Sequence, residues 1–321
     1  MKNTTRFAAV ILAVLSAGVT FAFAQTTTFV PDERGFFRAW LVRGPYACEK
    51  GKTRTVDFLR ELGGEARVLK LDQLGPVRFG RFPVSSPDSF HAHFSPTARV
   101  QLVDCFRPNE WVLAYAAAWF DSPEERHALL KVGSDDGVQV WLNGQKVLNQ
   151  PVYRSWQRDD DVVPVALRKG RNFLLLKVDQ GTGGWEFSVR FTDRAGRPLR
   201  DLREILPVRL EPSWLEEHLL DFVSVSATVF LEGGRRAIRM RLRYLPLVEG
   251  LQGRARVGVS ILLGDRTVLP AVFDERFRLD QRLVRQKILR PADWKPGVYT
   301  VVTHLVLGEN EIGQHRSILI W

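Results

Sequence analysis

The sequence predicts an all-β protein built from two β-sandwiches, with two short helices. Glycines, prolines and alternating apolar residues recur at short spacing along the 321-residue chain, which is typical of sandwich architecture. Segments with the helical period of 3.6 residues are rare. One is residues 55–64, which ends at a Gly-Gly pair suited to a helix C-cap. The other is residues 213–222, where Ser213 and Glu216 have capping-box spacing.

The first 24 residues are predicted to be a signal peptide that lies outside the fold. Lys2 and Arg6 precede an apolar stretch, and the Ala-Phe-Ala sequence at 22–24 suits cleavage before Gln25. No later stretch stays apolar for the roughly 18 residues that a membrane span needs. We therefore expect an exported protein, in the periplasm, at the cell surface or outside the cell, without a transmembrane segment after signal cleavage. An uncleaved N-terminal anchor is the alternative.

The chain is basic, with a formal net charge of +10. Removing the signal peptide with its Lys2 and Arg6 leaves +8 on the mature protein. An exported basic protein meets anionic envelopes, acidic polysaccharide or nucleic acid, although such a charge also simply confers solubility. Charge alone does not separate these partners.

Cys48 and Cys105 are the two cysteines of the chain. Export permits a disulfide between them. Such a bond would close a long loop and contribute about 4 kcal/mol by the chain-entropy argument. Two free buried thiols are the alternative. A catalytic cysteine is not expected, because no His-rich partner segment stands out.

Residues 25–204 are predicted to form the first sandwich. Residues 111–122 form a strand that ends at a turn, and residues 138–142 lead into Asn143-Gly144, a type I′ hairpin signal. Residues 172–180 are almost continuously apolar, as expected of a central buried strand.

Residues 205–222 are predicted to be a linker with a short helix, and residues 223–321 the second, smaller sandwich. Two prolines interrupt the linker. Hairpin turns are expected in the second sandwich at 233–234, 264–265 and 309–310. Its length of about 100 residues is the usual size of an immunoglobulin-like sandwich.

Six segments, in order, carry a resemblance to known proteins: FRAWLVRGPY, DFLRELGGEA, AYAAAWFDSPEE, GSDDGVQVWLNGQKV, DDDVVPVALRKGRNFLLLKVDQGTGGWEFSVRF and GRPLRDL. Over residues 36–204 the chain resembles bacterial galactose-binding-like jelly-roll modules. The pattern is similar to PA14-like modules and to the N-terminal jelly roll of family 2 glycoside hydrolases. The resemblance implies a jelly-roll β-sandwich that is usually non-catalytic and attached to secreted enzymes or surface proteins.

Asp135 and Asp136 form an acidic pair between Gly133 and Gly137. In PA14-like adhesins an Asp-Asp pair in a comparable loop binds calcium, which then holds a sugar, so the resemblance implies this role here. Calcium takes six to eight oxygen ligands, and adjacent carboxylates are a common source. Asp in a turn also accepts hydrogen bonds from nearby backbone amides. A calcium site and a structural turn both remain open.

The loop at residues 150–161 combines aromatic, arginine and carboxylate side chains, a combination suited to a polar, planar ligand. Loops at the ends of a sandwich often carry binding functions. The Gly-rich segment at 179–184 precedes another tryptophan. A loop that only packs over the sheet is the alternative. The predicted ligand-binding residues are Tyr153, Arg154, Trp156 and Trp185.

Arg239, Arg241 and Arg243 alternate with apolar residues in the second sandwich. A strand places such arginines on one face, about 7 Å apart. The ladder could hold a polyanion through bidentate contacts or dock a partner protein, since Arg is enriched at interfaces. The alternative is a solvated face that pairs with acids on neighbouring strands.

These patterns predict an exported, non-catalytic binding protein. Its expected ligand is carbohydrate or another envelope polymer, with calcium as the candidate ion. The alternative function is a structural or accessory subunit that docks onto envelope or surface proteins. An enzyme is not expected, because the sequence contains neither G-x-S-x-G nor H-E-x-x-H. Nucleic acid is not expected as a partner.

Overall fold

The computed structural model describes residues 26–73, 77–79, 82–210 and 212–321. The predicted signal peptide lies outside the described residues. The described chain is all-β, as predicted: strands dominate, with a single α-helix and several 3-10 turns. None of the helices in these ranges is long and apolar enough to cross a membrane.

The first sandwich contains thirteen strands in the described ranges. They are β1 (Thr27–Phe29), β2 (Ala39–Ala47), β3 (Arg78–Phe79), β4 (His91–Phe94), β5 (Val100–Gln101), β6 (Val112–Ser122), β7 (Arg126–Asp135), β8 (Val138–Leu142), β9 (Gln145–Gln150), β10 (Asp161–Leu167), β11 (Gly170–Gln180), β12 (Glu186–Thr192) and β13 (Arg203–Leu206). One sheet runs β3-β4-β2-β6-β11-β8-β9, with β13 beside β6 and β1 beside β13. The second sheet runs β10-β7-β12-β5. The predicted boundary at residue 204 falls inside β13.

Aromatic side chains fill the space between these two sheets. Trp40 of β2 packs 5.1 Å from Phe187 of β12, and Phe120 of β6 packs 5.5 Å from Phe191, measured between ring centroids. Phe37 lies 4.5 Å from Phe120 by the same measure. All five rings are buried. The strands therefore hold together by edge-to-face aromatic packing across the core.

The segment between β2 and β3 covers the outer face of the larger sheet. A helix was expected at residues 55–64, but the structure has only a 3-10 turn at Arg60–Leu62, so that expectation is wrong. The cause is Asp57, whose carboxylate accepts hydrogen bonds from the amides of Leu59 (2.9 Å) and Glu65 (3.1 Å). Such local bonds replace those of a helix. The C-cap expectation is confirmed at Gly63, whose φ is 94°.

A buried ionic cluster lies beneath this covering segment. The Lys177 ammonium donates to the Glu65 carboxylate (2.8 Å) and to the Val56 carbonyl (2.6 Å). The Tyr115 hydroxyl also donates to Glu65, at 2.6 Å. Lys177 is only 1% exposed, so these partners replace the water contacts of its ammonium group.

The linker contains α1 (Pro212–His218), which a 3-10 turn (Leu219–Phe222) extends. The predicted helix at residues 213–222 is therefore present. The capping-box expectation fails, because the helix already includes Pro212 and Ser213 lies inside its first turn rather than at the N-cap.

The second sandwich contains seven strands. They are β14 (Val223–Glu232), β15 (Arg235–Tyr244), β16 (Arg254–Leu263), β17 (Arg266–Arg278), β18 (Leu283–Leu289), β19 (Val298–Leu307) and β20 (Asn310–Ile320). One sheet is β14-β15-β18 and the other is β17-β16-β19-β20. Turns lie at 233–234 and 264–265 as predicted, and the last at 308–309, one residue early. Tyr244 and Phe277 pack between the sheets, 4.6 Å apart.

Backbone hydrogen bonds join the two sandwiches. The Val30 amide donates to the Leu247 carbonyl, and the Glu249 amide donates to the Thr28 carbonyl, each at 2.9 Å. The buried Arg38 guanidinium donates to the Pro246 carbonyl at 2.7 Å. The first strand thus bonds to the loop after β15.

Candidate functional site

Two exposed aromatic rings lie together at the loop end of the first sandwich. Trp111 is 39% exposed and Tyr153 is 55% exposed. Their ring centroids are 6.3 Å apart, with the planes at 74°. The Arg54 guanidinium packs over the Tyr153 ring at 5.3 Å. We call Trp111, Tyr153 and Arg54 the aromatic cluster.

Arg54 is fixed from below by a carboxylate. It pairs with Asp179, a residue of β11 whose side chain is 4% exposed. Burial opposes the charge of Arg54, but the hydrogen bond that Arg54 donates to Asp179 and the attraction of that carboxylate together outweigh burial and raise the Arg54 pKa. Burial raises the pKa of Asp179 despite this partner. A cation held by a buried carboxylate therefore supports the exposed Tyr153 ring.

Trp111 has a backbone conformation that bulky residues rarely adopt, with φ at 55°. Two backbone hydrogen bonds of 2.7 Å hold it there: its amide donates to the Gly181 carbonyl, and its carbonyl accepts from the Cys48 amide. Strained residues of this kind cluster at functional sites. The conformation leaves the indole exposed beside the three loops that contain Arg54, Tyr153 and Gly181.

Asp136 joins two of these loops. Its carboxylate accepts hydrogen bonds from the amides of Arg154 (2.9 Å) and Gly181 (2.8 Å). Gly181 lies so close to Tyr153 that a Cβ there would be 3.1 Å from the ring. Asp136 thereby sets the position of Tyr153, which is the structural-turn role that its sequence context allowed.

The surroundings of the acidic pair do not fit a calcium ion. Both carboxylate oxygens of Asp136 already accept amide hydrogens. Burial, followed by the nearby Asp136 charge, raises the pKa of Asp135. Among the described residues, no group of three or more His, Cys, Asp or Glu side chains could hold a metal. Calcium binding at Asp135 and Asp136 stays a prediction without support from these contacts.

Arg154 and Trp156 are engaged within the protein. The Arg154 guanidinium bonds to Asp160 (2.8 Å), Asp161 (2.5 Å) and the Ser134 hydroxyl (2.7 Å). The Trp156 indole N–H donates to the Ser188 hydroxyl at 3.1 Å. These two side chains therefore hold the loop onto the smaller sheet, and the loop-packing alternative describes them better than ligand contact.

Arg99 covers the half-buried Trp156 ring from outside. Its guanidinium lies 4.6 Å from the ring centroid. Arg99 also pairs with the buried carboxylate of Glu186 on β12.

Position 133 on β7 must be glycine for the loop that contains Trp156 to approach this strand. A Cβ on Gly133 would lie 2.1 Å from the Gln157 carbonyl oxygen.

The prediction that Trp185 contacts a ligand is wrong. Its side chain is 0% exposed, and its ring packs 5.5 Å from Phe106. The residue lies directly before β12, on the side that faces the core. Glycines before it suggested an exposed loop, but the apolar ring turns inward, where its burial is favourable.

Cys48 and Cys105 are free thiols in the structure, each 1% exposed. The disulfide is not formed, and the alternative of two buried thiols describes them. The Cys105 thiol donates a weak hydrogen bond to the Gln101 carbonyl at 3.2 Å. Burial raises the pKa of Cys105, which keeps it as an unreactive thiol.

The arginine ladder of β15 lies on the outer face of its sheet, as alternation predicts. Arg239 and Arg241 are exposed, and the residues opposite them on β14 are Thr228 and Ser226. Arg243 differs, because it pairs with Glu33 of the first sandwich at 3.1 Å. Arg239 packs 4.8 Å from the centroid of the Phe230 ring, and Arg241 donates to the side-chain oxygen of Gln286 at 3.3 Å. The ladder therefore presents two exposed arginines rather than three.

Two residues of the aromatic cluster were not predicted from the sequence. Trp111 lies at the start of a segment that was predicted to be a strand, and the sequence does not show that its backbone leaves the strand conformation there. The structure shows this departure as a positive φ, with the ring exposed. Arg54 precedes the segment read as a helix, and its contact with Tyr153 joins positions about 100 residues apart. No local pattern announces such a contact.

No protein-family model matches the chain, and no curated protein matches it. Solved structures with a similar course include a family 2 glycosyl hydrolase from Bacteroides cellulosilyticus, at 12% identity and a TM-score of 0.27, covering 89% of this chain and 36% of that one. Another is a beta-glycosidase from Bacteroides vulgatus, at 11% identity and a TM-score of 0.26, covering 92% of this chain and 34% of that one. A third is the Ruminococcus gnavus beta-glucuronidase, at 11% identity and a TM-score of 0.28, covering 92% of this chain and 44% of that one.

This chain thus spans less than half the length of those three enzymes. Likeness at this level does not bear on what the chain binds. What the strands establish is an all-β sandwich protein. The finer jelly-roll, PA14-like and immunoglobulin-like assignments stay predictions.

Proposed function

We propose that this protein is an exported, non-catalytic carbohydrate-binding protein, and that the aromatic cluster is its binding surface. The observation that carries the proposal is a pair of exposed rings, Trp111 and Tyr153, fixed at the loop end of a sandwich. An aromatic face suits the C–H face of a sugar ring. A rigid surface loses little conformational entropy when it binds.

Polar groups beside the rings would orient the sugar hydroxyls. Arg54 supplies a cation beside the Tyr153 ring. Asp136 positions the loops rather than the ligand. In this proposal calcium is not required for binding.

The experiment is a polysaccharide pull-down with a glycan array, using the mature protein and its Tyr153→Ala variant. Loss of one stacking ring should weaken binding about tenfold, which corresponds to roughly 1.4 kcal/mol. Leu231→Ala is the matched control, because Leu231 is an exposed apolar residue of the other sandwich. Absence of saturable glycan binding, with or without calcium, would refute the proposal.

A second candidate function is docking onto an envelope or surface protein as an accessory subunit. It is favoured by Arg239 and Arg241, which are exposed beside hydroxyl side chains rather than acids. This function predicts stoichiometric co-purification with a partner from envelope extracts. Recovery of the protein as a partnerless monomer would count against it.

A further inference from the structure

The net positive charge of the mature protein lies almost entirely in the second sandwich. Residues 223–321 contain 16 Lys and Arg against 9 Asp and Glu, a net charge of +7. Residues 25–222 contain 28 against 27, a net charge of +1. The aromatic cluster does not use this charge, because it lies in the first sandwich.

Four arginines meet on the outer face of the sheet β17-β16-β19-β20. The strand register places Arg254 opposite Arg278 and Arg256 opposite Arg276. Phe277, between two of them, faces the core, so the arginines face outward. Like charges directly opposite each other destabilise a sheet. We call Arg254, Arg256, Arg276 and Arg278 the arginine quartet.

Two carboxylates neutralise only half of the quartet. Asp274 binds Arg256 through two hydrogen bonds of 2.6 Å, and Asp280 binds Arg278 at 2.9 and 2.6 Å. No carboxylate in the described ranges forms an ion pair within 4 Å with Arg254 or Arg276, and Asp274 feels the Arg276 charge from farther away. Two guanidinium groups thus remain with open donors while their neighbours are held in fixed orientations.

The quartet lines a cavity of about 530 Å³, within the size range of ligand sites. Opposite side chains on paired strands start about 5 Å apart, and alternate residues along a strand lie about 7 Å apart. Such an array matches more than one oxyanion at once, and each guanidinium can bind an oxyanion through two hydrogen bonds.

We propose that the arginine quartet binds an acidic polysaccharide through its sulfate, phosphate or carboxylate groups. A polymer carries oxyanions on successive units, so one chain can engage several of the four guanidinium groups at once. Arg254 and Arg276 provide the free donors, and Arg256 and Arg278 complete the positive wall. The site is separate from the aromatic cluster and does not depend on the function proposed for it.

The test measures binding of fluorescein-labelled dextran sulfate to the full mature chain, with neutral dextran of the same size as a negative probe. Arg254→Gln/Arg276→Gln should raise the Kd about tenfold or more. The control Arg194→Gln/Arg266→Gln removes the same charge at two exposed positions elsewhere, and it should change the Kd less than twofold. Tyr153→Ala should leave dextran sulfate binding unchanged.

Equal weakening by both double variants would overturn the proposal, since binding would then follow net charge alone. Binding of neutral dextran that Arg254→Gln/Arg276→Gln weakens as much as it weakens dextran sulfate binding would also overturn it. Phosphatidylglycerol vesicles form a third arm, and vesicle binding that Arg254→Gln/Arg276→Gln abolishes, without dextran sulfate binding, would assign the site to membranes instead. The melting temperature of Arg254→Gln/Arg276→Gln should equal or exceed that of the wild type, because repulsion is relieved. A marked fall would indicate a structural role and contradict the proposal.

Discussion

Replacing Asp136 by Asn should destabilise the first sandwich and loosen the aromatic cluster. The carboxylate accepts two amide hydrogens, from Arg154 at 2.9 Å and Gly181 at 2.8 Å. The Asn side chain retains one acceptor oxygen and places an NH₂ group against the other amide. One charge-assisted hydrogen bond is lost and a buried donor is left unpaired.

The expected cost is about 2 kcal/mol, the usual size for a hydrogen bond to a charged group. For a module of this length, the loss lowers the melting temperature by about 4 to 8 °C. Asp160→Asn is the matched control. Asp160 is partly exposed and shares Arg154 with Asp161, so its removal should cost less than about 1 kcal/mol.

The assay is differential scanning calorimetry of both variants in millimolar calcium and in chelator. The structural role predicts that the wild-type melting temperature is the same in both buffers and that the Asp136→Asn deficit is also the same. A wild-type melting temperature that rises with calcium, by an increment that Asp136→Asn removes, would refute the reasoning and establish a calcium site.

Three further predictions concern buried groups. Lys177→Met should lower the free energy of unfolding in urea by about 3 to 5 kcal/mol, because it leaves the Glu65 carboxylate buried without its cation. Adding Glu65→Gln should restore part of the loss. Full stability of the single variant would contradict this prediction. Burial raises the pKa of Glu204 well above its ordinary value. The folded chain therefore keeps the Glu204 proton at a pH above about 4, where the unfolded chain has released it. The free energy of unfolding falls as the pH rises from about 4 towards the folded pKa. Glu204→Gln should therefore gain stability relative to the wild type between pH 4 and 8, whereas a constant difference would refute the raised pKa. Cys48 and Cys105 should both react with a thiol reagent after unfolding without reductant and resist it when folded, and their failure to react after unfolding would indicate a disulfide.

Strand positions and turns could be predicted from the sequence because they depend on neighbouring residues. Alternation places Arg239 and Arg241 outside and Met240 inside, since side chains along a strand point to opposite faces. The Gly233-Gly234 hairpin follows from the same local chemistry.

The helix expected at residues 55–64 could not be corrected from sequence. Its competitor is the Asp57 side chain, which bonds the amide of Glu65 eight positions later. Trp185 was misread for a related reason: its glycines indicate a loop, but only the packing partner Phe106 shows which way the ring turns. Contacts between distant segments decided both cases.

The most direct test of the carbohydrate-binding surface follows the fluorescence of Trp111. The nine tryptophans all lie in the described ranges, and Trp111 is the one that is exposed. Acrylamide should quench its emission, and a bound polysaccharide should suppress that quenching in the wild type, with no such effect in Trp111→Phe. Unchanged quenching in the presence of a neutral polysaccharide that the protein demonstrably binds would contradict the placement of the site at the aromatic cluster.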